Sequence, residues 1–193
     1  MNFSFFLNTI KNLIADPVKA WEIIRTENRT ISQTNNNFLY PLLALGAVSA
    51  FLGSFLFSHS QLHPAYFFLT GIKYLLLMFI SIYITALVFK EITRFLDLSC
   101  SFPAAYKLVT FSTVPLLLCQ LLSRLFESFI FVNILSFYGL YVFWTGIEIM
   151  LDIPRNKKLP LLIAAGITFV VTFVISSWLL TRIIDKLYFT LFA

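Results

Sequence analysis

Charge is what this sequence has least of. Only 12% of its 193 residues are Asp, Glu, Lys or Arg, about half the share that soluble domains carry. Scarce charge together with 59% hydrophobic residues excludes a water-soluble enzyme and a disordered tail, because a globule of this size cannot hide so much apolar surface from water. The two cysteines, Cys100 and Cys119, exclude a disulfide-built secreted domain. The 18 residues between them are neither a metal-ligand nor a redox spacing, and both read as small core side chains. There is no Walker loop, dinucleotide fingerprint, nucleophile elbow or paired carboxylates in a cleft. Nothing in the sequence therefore argues for an enzyme or a cofactor. No cationic region and small-residue cleavage site flank the first apolar residues, so no cleavable leader is expected.

What is present in their place is five long apolar runs: Phe38–Phe57, Tyr66–Phe89, Phe102–Leu122, Phe129–Met150 and Leu159–Thr181. They are 20 to 24 residues long. At about 1.5 Å per residue each can cross a hydrocarbon core of about 30 Å. The runs are continuous rather than alternating, which disfavours a β-barrel. The expected fold class is all-α, a polytopic membrane bundle of five transmembrane helices. Residues 38–193 form the membrane domain and residues 1–37 a cytoplasmic segment before it. Lys and Arg divide nine to three between the two sets of loops and termini. That bias places the N-terminus in the cytoplasm and the C-terminus outside, and it accounts for the net charge of +5 without nucleic-acid binding.

The N-terminal segment is too short and too striped to be another span. Phe3, Phe6, Leu7, Ile10, Leu13 and Ile14 follow helical spacing. Asp16-Pro17 supplies a cap and a first-turn proline for a second short helix carrying Val18, Trp21 and Ile24. Two placements suit such amphipathic helices equally: in the plane of the membrane interface, or packed on the cytoplasmic ends of the bundle. Asn28–Asn37 is polar and reads as a linker.

Charges inside apolar runs are the first candidates for function. Lys73, Lys107 and Glu148 are the three. Lys107 and Glu148 lie near the cytoplasmic ends of neighbouring spans, so a pair between them is geometrically reasonable beside the plainer reading of two separately hydrated ends. Lys73 sits about 10 Å below the outer end of its span, with no acid expected at its depth; it snorkels outward or lines a polar cavity. A polar path near Lys73, Tyr83, Thr85, Lys107, Thr110 and Glu148 would suit a transporter, a channel or a lipid-moving protein. Pro115 in mid-span predicts a kink, with Ser112 and Thr113 helping to satisfy the freed backbone. Gly46, Ala50 and Ser54, and Ala164, Thr168, Thr172 and Ser176, form small-residue stripes for close helix approach, within the chain or between copies in a homo-oligomer. His59 and His63 share helical spacing, but without a further ligand residue nearby they read as loop histidines more readily than as a metal site.

Four segments in order resemble one family. They are ADPVKAWEII (Ala15–Ile24), the YPL entry to the first span (Tyr40–Leu42), AAYKLVTFSTVPLLL (Ala104–Leu118) and FYGLYVFWTGIEIMLDIPRNKK (Phe137–Lys158). Together they resemble the Yip family, the Ypt/Rab-interacting integral membrane proteins. The resemblance implies a helical membrane bundle with a cytoplasmic N-terminus. Eukaryotic members bind Rab GTPases and carry a longer cytoplasmic region; this chain is similar to the short prokaryotic branch, so Rab binding is not expected. The family-pattern positions are Tyr106, Pro115, Tyr138, Tyr141, Gly146 and Pro154. Two functions follow as expectations: a non-enzymatic scaffold that organises the bilayer or partner proteins in the bacterial inner membrane, or a protein that moves a solute or lipid.

Overall fold

The computed structural model describes residues 3–57, 64–151 and 153–192, and among them every regular element is a helix. α1 (Phe3–Ala15) and α2 (Pro17–Glu27) come first. The Asp16 carboxylate accepts the backbone N–H of Lys19 at 3.1 Å. Pro17 takes the first helical position, where a missing N–H costs nothing. α2 ends on Asn28 at φ 39°, a left-handed conformation that Asn tolerates better than most side chains.

The segment read as a linker is helical. Thr30 and Gln33 form a reciprocal capping box at the start of α3 (Ile31–Thr34). A π-helical turn, Asn35–Leu39, carries the chain without a break into α4 (Tyr40–Phe57). Then follow α5 (Pro64–Phe95), α6 (Phe102–Ser112), α7 (Val114–Leu125), a 3-10 stretch (Glu127–Phe137), α8 (Tyr138–Leu151) and α9 (Arg155–Phe192). Five stretches are long and apolar enough to cross a membrane: Ile31–Phe57, Pro64–Phe95, Phe102–Leu125, Phe129–Leu151 and Asn156–Thr190. Each contains or nearly coincides with one of the five runs. The protein is an all-α, multi-pass integral membrane bundle.

The third span breaks where Pro115 predicts, between α6 and α7. The Thr113 hydroxyl donates to the Thr110 carbonyl at 2.9 Å, whereas the Ser112 hydroxyl has no partner among the described residues. Gly139 lies against the break: a Cβ there would stand 2.6 Å from the Ser112 carbonyl oxygen, so only glycine lets α8 begin this close.

α1 and α2 form a hairpin whose open end is marked by the Arg29 guanidinium, 3.7 Å over the Phe5 ring. Of the two placements the sequence allows, the structure takes packing on the bundle, along its flank rather than across its end. The Tyr138 hydroxyl donates to the Ile14 carbonyl at 3.0 Å, the Trp21 indole N–H to the Val142 carbonyl at 2.9 Å, and Arg25 to the Ile149 carbonyl at 2.9 Å. α2 thus runs parallel to α8, with its first turn level with the start of that helix. Phe6, Leu13 and Trp21 are buried, and Leu7, Ile14 and Val18 remain exposed. Trp21 meets Phe111 edge-on at 6.0 Å, and Phe111 meets Phe38 at 4.9 Å. This aromatic chain ties the hairpin to the first and third spans.

Both small-residue stripes are used inside the chain. Gly46 faces the Tyr74 ring of α5, and Ala50, Thr172 and Ser176 are buried. α9 lies along α5 for much of its length.

Candidate functional site

Three of the family-pattern residues hold the N-terminal segment. Gly146 leaves room for Trp21: a Cβ on it would fall 2.6 Å from the indole. Tyr138 binds the end of α1, as described. Tyr106, fully buried, donates its hydroxyl to the Asn35 side-chain oxygen at 2.7 Å. This bond and the capping box explain why an asparagine run is helix here: the Asn35 amide is satisfied by a side chain rather than by turning the backbone. Tyr141 is exposed, its ring 5.6 Å from that of Tyr138. Pro115 sits at the helix break, and the Pro154 carbonyl accepts the Lys157 N–H at 3.0 Å at the start of α9.

The three intramembrane charges do not converge. Glu148 is held by Lys158 at 2.9 Å, not by Lys107. Lys158 opens α9, one helical turn after the connection from α8, and its buried ammonium reaches back to the half-exposed carboxylate. Lys107 is itself buried, so it is not a hydrated end either, and among the described residues it has no ion-pair partner. Lys73 does have an acid at its depth. α9 continues past Thr181 to Phe192, which brings Asp185 within electrostatic reach of Lys73, together with Arg124 from α7. The Arg124 guanidinium lies 4.9 Å from the centre of the Tyr74 ring. His59 and His63 lie outside the described residues, and among those described no cluster of His, Cys, Asp or Glu has the makings of a metal site.

A lateral groove of about 860 Å³ runs between α7, the 3-10 stretch, α8 and α9. Its walls are apolar, including Leu116, Leu140, Phe143, Leu162 and Phe169. A polar strip crosses it: Arg124, Ser123 and Asn133 at one end, then Gln120 and Ser136, then Ser112 and Thr85. The Ser123 hydroxyl donates to the Asn133 side-chain oxygen at 3.3 Å. Of the residues expected to form a polar path, Thr85 reaches this groove, while Lys73, Lys107 and Glu148 do not line it. Gln120, Asn133 and Arg124 escape a reading that searches spans for charge alone. Their signal is an uncharged amide inside an otherwise apolar run, and an arginine in the last turn of a span.

A family model described as the Yip1 domain matches residues 11–179. No curated protein and no solved structure matches the chain. The match begins within α1 and ends inside α9, so it covers Trp21, Tyr106, Tyr138 and Gly146, the first four spans and most of the fifth. On that extent, this chain belongs to the Yip1 domain family.

Proposed function

We propose that the protein is a non-enzymatic scaffold that organises the bilayer or binds a membrane partner in the bacterial inner membrane, with its N-terminus cytoplasmic and its C-terminus outside. The observation that carries this reading is the docked hairpin. One face is fixed to the bundle through Trp21, Tyr138 and Arg25, and the other presents Asn8, Lys11, Lys19 and Glu22 outward. A rigidly held polar face beside apolar spans suits recognition of a partner. The dispersal of Lys73, Lys107 and Glu148 into separate surroundings supports it further, since conduction needs polar groups in series. Orientation rests on the distribution of Lys and Arg.

The test uses the full chain with a photo-crosslinking residue at Lys19 or, as control, at lipid-exposed Val171. A scaffold gives a discrete protein adduct from Lys19 and none from Val171. The groove favours a second reading, a lipid-moving protein. Purified chain in vesicles distinguishes the two: the scaffold leaves dye-reported ion leak and phospholipid scrambling at the protein-free level. Scrambling or leak above that level that Lys73→Met abolishes would overturn the scaffold.

A further inference from the structure

We propose that the groove between α7, the 3-10 stretch, α8 and α9 is a binding site for one anionic phospholipid, with its phosphate against Arg124 and its tails along the apolar wall. The site is independent of the scaffold reading, because it rests on different residues.

Four observations meet here. First, the groove has the size of a small-molecule site, about 860 Å³ against a usual range of roughly 300–1,000 Å³. Second, its rim is made of exposed apolar residues of membrane-crossing segments, among them Ile130, Ile167 and Val170, so an occupant enters sideways from the bilayer. Third, one end is cationic. Arg124 lines it, and Lys73 and Asp185 lie close enough to interact. The planar guanidinium of Arg124 matches phosphate oxygens. Fourth, the polar strip is under-satisfied. Gln120 Oε1, Ser136 Oγ, Ser112 Oγ and Thr85 Oγ1 have no hydrogen-bond partner among the described residues, and Thr85 and Ser112 are more than nine-tenths buried. Buried hydroxyl and amide groups are almost always paired, so these are the groups that a polar occupant of the groove meets.

The order of the groups fits a phospholipid. Arg124 and Asn133 stand at the mouth, where the phosphate belongs. Gln120 lies four residues back along α7 from Arg124, about 6 Å inward. Ser123 bonds Asn133, so the 3-10 stretch runs back along α7 and Ser136 follows the same way inward. That is the level of the glycerol and the ester carbonyls, which accept hydrogen bonds from the Ser136 hydroxyl and the Gln120 side-chain amide N–H. Beyond them Leu140, Phe143, Leu162 and Phe169 offer only apolar surface, suited to acyl chains.

The experiment is native mass spectrometry of the purified full chain titrated with phosphatidylglycerol, phosphatidylethanolamine or glycerol phosphate. One phosphatidylglycerol is expected to be retained about tenfold more than phosphatidylethanolamine. Gly166 is the site for a filling variant, since a Cβ there meets only the Leu140 Cδ2 at 3.9 Å. Gly166→Leu should lower phosphatidylglycerol retention about tenfold with an unchanged or higher melting temperature. Arg124→Gln should remove the preference between the two lipids. Arg124→Lys, which keeps the charge should Gln disturb folding at Tyr74, should retain most of it. Equal retention of the two lipids, undiminished retention in Gly166→Leu, or displacement of the lipid by glycerol phosphate alone would overturn the proposal. So would a dimer that Gly166→Leu dissociates.

Discussion

Replacing Trp21 with alanine tests the central packing claim most directly. The indole is fully buried, sits edge-on to Phe111, and fills the space that Gly146 leaves open. Truncating a buried aromatic to alanine costs about 3–5 kcal/mol through lost contacts and the cavity left behind. The bond to Val142 adds little, since that carbonyl is also a helix acceptor, and a net hydrogen bond contributes about 1 kcal/mol. The loss should fall on α2, because this residue joins α2 to α8 and α6 while the five spans pack among themselves. Opening of α2 should therefore become easier by roughly two to three and a half powers of ten, or as far as the unprotected limit. Hydrogen exchange in detergent or nanodiscs reads this directly: amides of α2 lose protection and those of α5 keep theirs. Trp21→Phe should lie between the two, retaining the packing and losing the bond. If Trp21→Ala leaves α2 protection unchanged, the hairpin is not held by this contact and the reasoning fails.

Three further predictions follow from the charged and thiol groups. Glu148→Gln should destabilise by more than the ~1 kcal/mol of an exposed pair, because it leaves the buried Lys158 ammonium without this carboxylate, and should be non-additive with Lys158→Met but additive with Lys107→Gln; thermal melts of the double variants check this. Lys73→Met and Asp185→Asn should be non-additive in the same melts, since Asp185 lies within electrostatic reach of Lys73, and additive losses would show that the two charges do not interact. Burial pushes the Cys100 thiol above its ordinary value of 9.0, so its alkylation at neutral pH should be slower than in the denatured chain. The sign for stability follows: the folded state holds the proton more tightly, so this contribution is present below the unfolded thiol value and is lost as pH rises through the folded one.

The architecture was legible because lipid imposes one rule on sequence, a long run of apolar residues per crossing. The ends of those crossings were less so. Arg182, Asp185 and Lys186 look like the polar end of the last span, yet α9 continues through them to Phe192, and so the acid facing Lys73 was invisible. Asn35 looked like a turn residue because asparagine competes for backbone bonds. Its side chain is claimed by Tyr106, 71 residues away. The Lys107–Glu148 pair failed for a related reason: spacing along adjacent spans gives depth but not azimuth, and Lys158 approaches from the better side. Trp21 was readable as an apolar-face residue, and Gly146 as a pattern position. That one exists to admit the other is a long-range fact, which periodicity does not carry. The groove was the least legible feature, being built from single polar residues on separate helices.

The hairpin's attachments also set an order of events. Trp21 and its acceptor at Val142 are separated by 121 residues, and the Ile14 and Arg25 bonds each span 124. At about 5–20 residues per second, the first helices wait roughly 6–25 s after synthesis before α8 exists to receive them. During that time Trp21 lacks the α8 surface that covers it, although Phe6 can already meet Phe38. The neighbouring apolar surface is the headgroup boundary of the bilayer, where an amphipathic helix lies flat with modest affinity. This ordering predicts that interfacial binding and packing on the bundle are successive states of one segment, which hydrogen exchange of stalled and full-length chains would distinguish. Assembly ends with the hairpin leaving the lipid surface for the flank of α8, and a chain stalled before its fourth span should keep its N-terminus on the membrane.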